Sequence, residues 1–187
     1  HDEATIGSAF SDVISKSNMT LSSVELLNEE SVPKDAAAII INAPQKDFNK
    51  NDAQKVIDYL QKGGKAIIVG MHSETEMPNF ASILDTYGVS LTTGPIADND
   101  AQHYYNMGGP LYLLPNVNSS SYTGSLSGGY VYLPISLGIN YPQNSTTDDT
   151  ESTEESKTTY TSLLDTSDDA VAKNNPNSMQ DYGYEDG

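Results

Sequence analysis

The chain has 187 residues and a formal net charge of −17 at pH 7, with 26 acidic residues against nine lysines, no arginine and no cysteine. So acidic a surface excludes nucleic-acid binding, which needs a basic face, and disfavours adsorption to an anionic membrane. The absence of thiols excludes disulfides, thiolate zinc sites and cysteine nucleophiles together. No apolar run reaches the ~18 residues that a membrane crossing needs, and no signal peptide is visible. The chain starts at His1 without an initiator methionine. We therefore expect a processed chain or an excised fragment, with any membrane segments outside it.

In chain order, residues 6–17 read as a helix with Ile6, Phe10, Val13 and Ile14 on one side. The alternation over 19–27 predicts a strand near a sheet edge. A polar loop over 28–34 leads to the most regular segment, 35–70. There Ala36, Ala37, Ala38, Ile39, Ile40 and Ile41 form a continuous apolar run, as in a strand buried on both faces. Asn42, Ala43 and Pro44 stop it, because proline has no N–H for a ladder. Asn49 or Asn51 can cap the helix that follows. Its inner face is predicted to carry Ala53, Val56, Ile57 and Leu60, with Asp52, Lys55, Asp58 and Lys62 pointing mostly elsewhere. Gly63 and Gly64 end it in the left-handed conformation open to glycine. Residues 65–69 are a second buried strand, and the whole is one βαβ unit.

A loop over 70–78, a helix over 79–87 and a short strand over 89–91 complete the regular half. The order predicts an α/β fold of flavodoxin-like type: an open, mostly parallel sheet with helices on both faces. Residues 1–187 are read as a single domain, with a regular βαβ core over 1–94 and a strand- and loop-rich part over 95–180. In the latter, 111–114, 130–135 and 160–164 are strand-like, 118–129 is a Ser/Gly loop and 144–157 is a mobile acidic loop. Residues 181–187 form a tail.

Ligands of doubly wound sheets lie outside the carboxyl ends of the strands. That rule selects Asn42, Pro44 and Gln45 after one strand and His72 and Ser73 after the next as ligand- or partner-binding candidates. Ser73 with His72 or His103 and a carboxylate can be drawn as a triad. However, the turn has glycine on one side only, so the small-residue elbow of such nucleophiles is missing, and no catalytic residue is assigned. Asp98, Asp100 and His103 make the best metal-like cluster. They lack the sixth-position glycine and terminal glutamate of a calcium loop, and the reading is a polar turn that binds a ligand or partner without a metal. The acidic run Asp148, Asp149, Glu151, Glu154 and Glu155 reads as solvated charge. Gly124, Gly128 and Gly129 do not follow a strand and open a helix, so no dinucleotide or flavin site is expected, and no cofactor. Tyr104, Tyr105, Tyr112, Tyr122, Tyr130 and Tyr132 are an aromatic set suited to a sugar or a protein partner.

Several segments carry a family likeness. They are Val32-Pro33-Lys34-Asp35-Ala36-Ala37, Ile41-Asn42-Ala43-Pro44, Asp52, Val56-Ile57-Asp58-Tyr59-Leu60 and Gly63-Gly64-Lys65-Ala66. Pro78-Asn79-Phe80 with Leu84, Tyr87-Gly88-Val89 and Leu163-Leu164-Asp165-Thr166-Ser167 continue it. In this order and spacing the chain resembles the GldG-like family, auxiliary subunits of uncharacterised ABC-type transport systems. The resemblance implies a fold similar to intraflagellar-transport components and, more distantly, to class I glutamine amidotransferases. It also implies an extracytoplasmic domain at the cell surface, tethered by membrane helices outside this fragment. Its partners would be an ABC permease and ATPase, and it would have no enzymatic activity of its own. Alternatives from the residues are a cell-surface carbohydrate-binding domain and a degenerate amidotransferase-like enzyme.

Overall fold

The computed structural model describes residues 3–126, 128–142 and 158–173, among which lie three α-helices and nine strands of a mixed α/β chain. The chain divides into two compact units, His1–Gly88 and Val89–Gly187, each built differently. The acidic loop over 144–157 and the tail over 181–187 lie outside the described residues.

The first unit holds α1 (Ser8–Lys16), β1 (Ile39–Asn42), α2 (Lys50–Gln61), β2 (Ala66–Val69) and α3 (Pro78–Asp85). β1 and β2 run parallel, with Ile39 opposite Ala66 and Asn42 opposite Val69. The expected βαβ unit is therefore present. Asn49 is the cap of α2: its side-chain oxygen accepts the Asp52 N–H at 2.9 Å. At the other end Gly64 N–H bonds to Tyr59 O and Gly63 N–H to Leu60 O. That is a Schellman closure, and it requires the left-handed φ of +88° at Gly63. Gly64 is also needed for space, since a Cβ there would sit 2.3 Å from the Tyr59 ring. The core joins Val32, Ile41, Phe48, Ala53, Val56, Leu60, Phe80 and Ile83, all buried. The Phe48 and Phe80 rings stack with centroids 6.3 Å apart.

Three local expectations change in this unit. Asp52 does not point outward but is buried, because it completes the α2 cap and pairs with Lys55. β2 is not buried on both faces: Ile67 and Val69 are exposed while Ala66 and Ile68 are half-buried. Apolar runs alone do not tell one covered face from two. Residues 19–27 form no strand; they pass into a single 3-10 turn over Leu26–Asn28 whose first carbonyl accepts Lys55 Nζ at 2.6 Å. Alternation favours a strand only where a ladder partner is offered.

The second unit has strands and one 3-10 turn, Gly124–Leu126, but no α-helix among its described residues. β3 (Ser90–Asp98) is the long strand, where only a short one over 89–91 was expected. It pairs antiparallel with β7 (Leu137–Asn140) along its first half and with β9 (Ala170–Ala172) along its second. The change of partner follows an irregularity between Leu91 and Pro95, a usual place for proline inside a sheet, with pairing to β9 beginning at Ile96. The Thr92 hydroxyl closes it by donating to Gly94 O and accepting from Gly138 N–H. β4 (Tyr112–Leu113) pairs with β6 (Leu133–Pro134), and β5 (Asn116–Val117) with β8 (Leu164–Asp165). The strand-like stretches at 111–114 and 130–135 thus each supply two paired residues, and 160–164 supplies Leu164, with β8 running one residue beyond it. β5, β7 and β9 carry too little periodicity to be read from sequence.

The open, mostly parallel sheet is accordingly not seen. Among the described residues one strand pair is parallel, and the remaining sheets are antiparallel with two or three strands each. The broader α/β class holds.

Candidate functional site

In the first unit the carboxyl ends of β1 and β2 carry five predicted residues. Asn42 Nδ2 donates to Ala4 O at 2.8 Å, and the Asn42 N–H meets Glu3 Oε2 at 3.3 Å. The amino-terminal segment therefore lies along the end of β1, with Glu3 bridged to Pro44. Partial desolvation pushes the Glu3 carboxyl up from its ordinary value, against the opposing pull of the Asn42 N–H. Ala43 sits at φ +47°, in the left-handed region that costs a residue with a Cβ about 1 kcal/mol. Bonds from Ala43 N–H to Val69 O and from Gln45 Nε2 to Ala43 O, both 2.9 Å, hold it there. Pro44 is fully buried. Gln45 also reaches Met71 Sδ at 3.9 Å. His72 is exposed. The Ser73 hydroxyl donates to Thr75 O at 2.9 Å and accepts the Thr75 N–H, a closed turn rather than a nucleophile elbow.

The residue that sequence reasoning missed is Asp47. Met77 occupies the cap position of α3 and offers no side-chain acceptor. Asp47, thirty-odd residues upstream, takes that role. Its carboxylate accepts the Phe80 N–H at 2.8 Å, the Asn79 N–H at 3.1 Å and Asn79 Nδ2 at 2.8 Å. Asn79 Nδ2 also donates to Phe48 O. A negative group at orphan N–H donors is favourable electrostatically as well. A helix start with Pro78 at its first position but no Ser, Thr, Asp or Asn before it was the available signal.

In the second unit Asp98, Asp100 and His103 do come together. Asp98 is fully buried at the end of β3. Its carboxylate accepts the Asp100 N–H at 3.0 Å, the Ser167 N–H at 2.9 Å and the Ser167 hydroxyl at 2.5 Å. Asp100 accepts the Gln102 N–H and faces His103 Nδ1 at 3.0 Å. His103 Nε2 faces Asn116 Oδ1 at 3.2 Å. Both ring nitrogens thus meet oxygen acceptors, an arrangement that the doubly protonated imidazolium satisfies. Partial desolvation, the largest single influence on His103, works against that charge. The hydrogen bonds to Asn116 and Asp100, with the charges of Asp100 and Asp98, outweigh it and raise the imidazole above its ordinary value. Asp100 is lowered chiefly by the Gln102 N–H, against desolvation, with further lowering from the bond to His103 and its charge. The cluster is a chain of mutual hydrogen bonds tying β3 to the 167 turn and to β5. No group of three or more His, Asp and Glu residues arranged for a metal ion occurs among the described residues.

The tyrosines form the other grouping. Tyr132 meets Tyr105 edge to face at 6.1 Å and stacks beside Tyr112 at 6.2 Å. Tyr122 and Tyr130 stand separately and well exposed. Tyr104 is half-buried and bridges to Leu113.

No protein-family model, no curated protein and no solved structure matches the chain. The described residues include no helix long and apolar enough to cross a membrane.

Proposed function

We infer that the chain is an extracytoplasmic, non-enzymatic binding module of a GldG-like auxiliary protein, serving an ABC permease and ATPase by contacting a partner or ligand. The observation that carries the reading is where the family-like segments fall. Ile41 to Pro44 close β1, and Asp52 and Gly63-Gly64 are the two ends of α2. Asn79 and Phe80 donate to Asp47, and Ser167 donates to Asp98. The likeness lies in the residues that hold each unit together, as a shared scaffold requires. On this reading β1–α2–β2 is the surviving kernel of a flavodoxin-like sheet. The engagement of Ser73 with Thr75, and of Asp98 with Ser167, favours binding over chemistry.

The test is to read the gene that encodes this chain on both sides of its coding sequence, and to identify proteins that co-purify with the gene's full product from membranes. A membrane helix beside the fragment and recovery of an ABC permease and ATPase are expected. Turnover of any substrate that depends on His72 or Ser73 would overturn the reading.

A further inference from the structure

The geometry points to a docking face for an arginine- or lysine-bearing polypeptide segment on Tyr105, Tyr112 and Tyr132 of the second unit. It rests on the binding-module reading above and names the surface and the chemistry of the partner. The three rings are fixed before any partner arrives. Tyr105 N–H bonds to Tyr112 O at 2.8 Å, and Gly108 and Gly109 N–H both return to Tyr105 O. Gly108 lies so close under the Tyr112 ring that a Cβ there would stand 2.5 Å from it. Tyr112 pairs across to Pro134 on β6, next to Tyr132. Tyr132 then lies between the other two rings, edge to face with one and stacked beside the other. Fixed rings lose little entropy when a partner docks.

The face is nevertheless open. Tyr105 and Tyr132 are 45% and 50% exposed, and Met107, whose sulfur receives the Tyr105 hydroxyl at 3.2 Å, is 88% exposed. Tyrosine and methionine in one exposed group are the composition of an interface core. Charge selects the occupant. Residues 89–187 contain thirteen acidic side chains and two lysines, Lys157 and Lys173. Lys173 is buried, and Lys157 lies outside the described residues. The described surface of this unit therefore presents aromatic rings and carboxylates with no exposed cation. The negative face of a tyrosine ring attracts guanidinium and ammonium groups. The chain's net charge of −17 steers cations in and turns anionic partners away. Guanidinium also stacks flat on such rings, so arginine is the preferred anchor.

The test uses the full chain and three fluorescently labelled probes: a short Arg/Gly/Ser peptide, its Lys counterpart and an uncharged Gln counterpart. A neutral β-glucan oligosaccharide is the fourth probe. The Arg peptide binds most tightly and the Gln peptide not measurably. Tyr132→Leu and Tyr105→Leu each weaken the Arg peptide by roughly three-fold or more at constant net charge. Tyr132→Phe, which keeps the ring, leaves the affinity within about two-fold, a change within cation–π scatter. Amide shifts on titration centre on residues 104–113 and 132–135. Unchanged melting of the variants shows that the fold is intact, and where one Leu variant fails to fold the other carries the test. Binding that ignores both Leu substitutions would overturn the proposal, since attraction would then be diffuse charge. So would oligosaccharide binding at these rings without peptide binding. Either result leaves the binding-module reading standing, because that reading fails separately, through the parent's flanks and its co-purifying partners.

Discussion

At the residue scale the Asp100–His103–Asn116 chain makes a pH-dependent contribution whose sign follows from the two shifts. His103 is raised above its ordinary 6.5, so its contribution is complete below that pH and is lost as pH rises through the folded value. Asp100 is lowered below 3.8, so its contribution is complete above that pH and is lost as pH falls through the folded value. The pair therefore contributes fully between pH 3.8 and 6.5. When the imidazole loses its second proton, Nε2 and Asn116 Oδ1 become two acceptors face to face, and the amide must turn over. A proton-NMR titration of the His103 ring gives a midpoint above 6.5, and Asn116→Ala moves it down. A midpoint at or below the ordinary value would show that Asn116 and Asp100 do not hold the charged form. The sequence brought Asp98, Asp100 and His103 to attention through their spacing. Their closure by Ser167, 69 residues from Asp98, is a long-range contact that spacing cannot contain.

At the scale of the element, helix ends carry the lesson. α2 could be read in full, because its cap Asn49 and its stop Gly63 are local signals with local causes. α3 could be read only in part, because its acceptor comes from the loop after β1. Asp47→Ala leaves the Asn79 and Phe80 donors without their carboxylate and is expected to cost ~2 kcal/mol of stability. Asp47→Asn retains one acceptor oxygen and costs less. Denaturant melts of the three proteins measure this ordering, and an Ala variant as stable as the parent would remove Asp47 from the role. The short strands show the opposite limit. Two-residue pairings such as Asn116–Val117 with Leu164–Asp165 have no period long enough to read.

For the molecule as a whole, burial divides residues of the same type. Ile83 on α3 is fully buried, whereas Ile67 on β2 is 48% exposed. Ile83→Ala is expected to cost about 2–5 kcal/mol, the range for deleting a buried aliphatic side chain. Ile67→Ala should cost ~1 kcal/mol or less, as half its surface already meets water. Urea unfolding of the full chain measures both. Comparable costs would mean that the outer face of β2 is covered. The exposed side chains of β2 also explain why the flavodoxin-like expectation went too far. Apolar strands were read as buried on both sides, and the elements needed to cover the second side were assumed from the order of helices and strands.

The sequence by itself determined the βαβ unit, the ends of α2, the strongly acidic charge, and the identity of the polar residues at the end of β3. Each of these has a cause within a few residues or in composition. Only the tertiary structure decided which strands pair, which faces are covered, that Asp47 serves a distant helix, that Ser73 is turned into its own loop, and that three tyrosines meet on one face. Those outcomes depend on contacts between segments far apart in the chain. Such contacts are selected by packing and by the need to satisfy buried donors, not by the local preferences that a sequence displays.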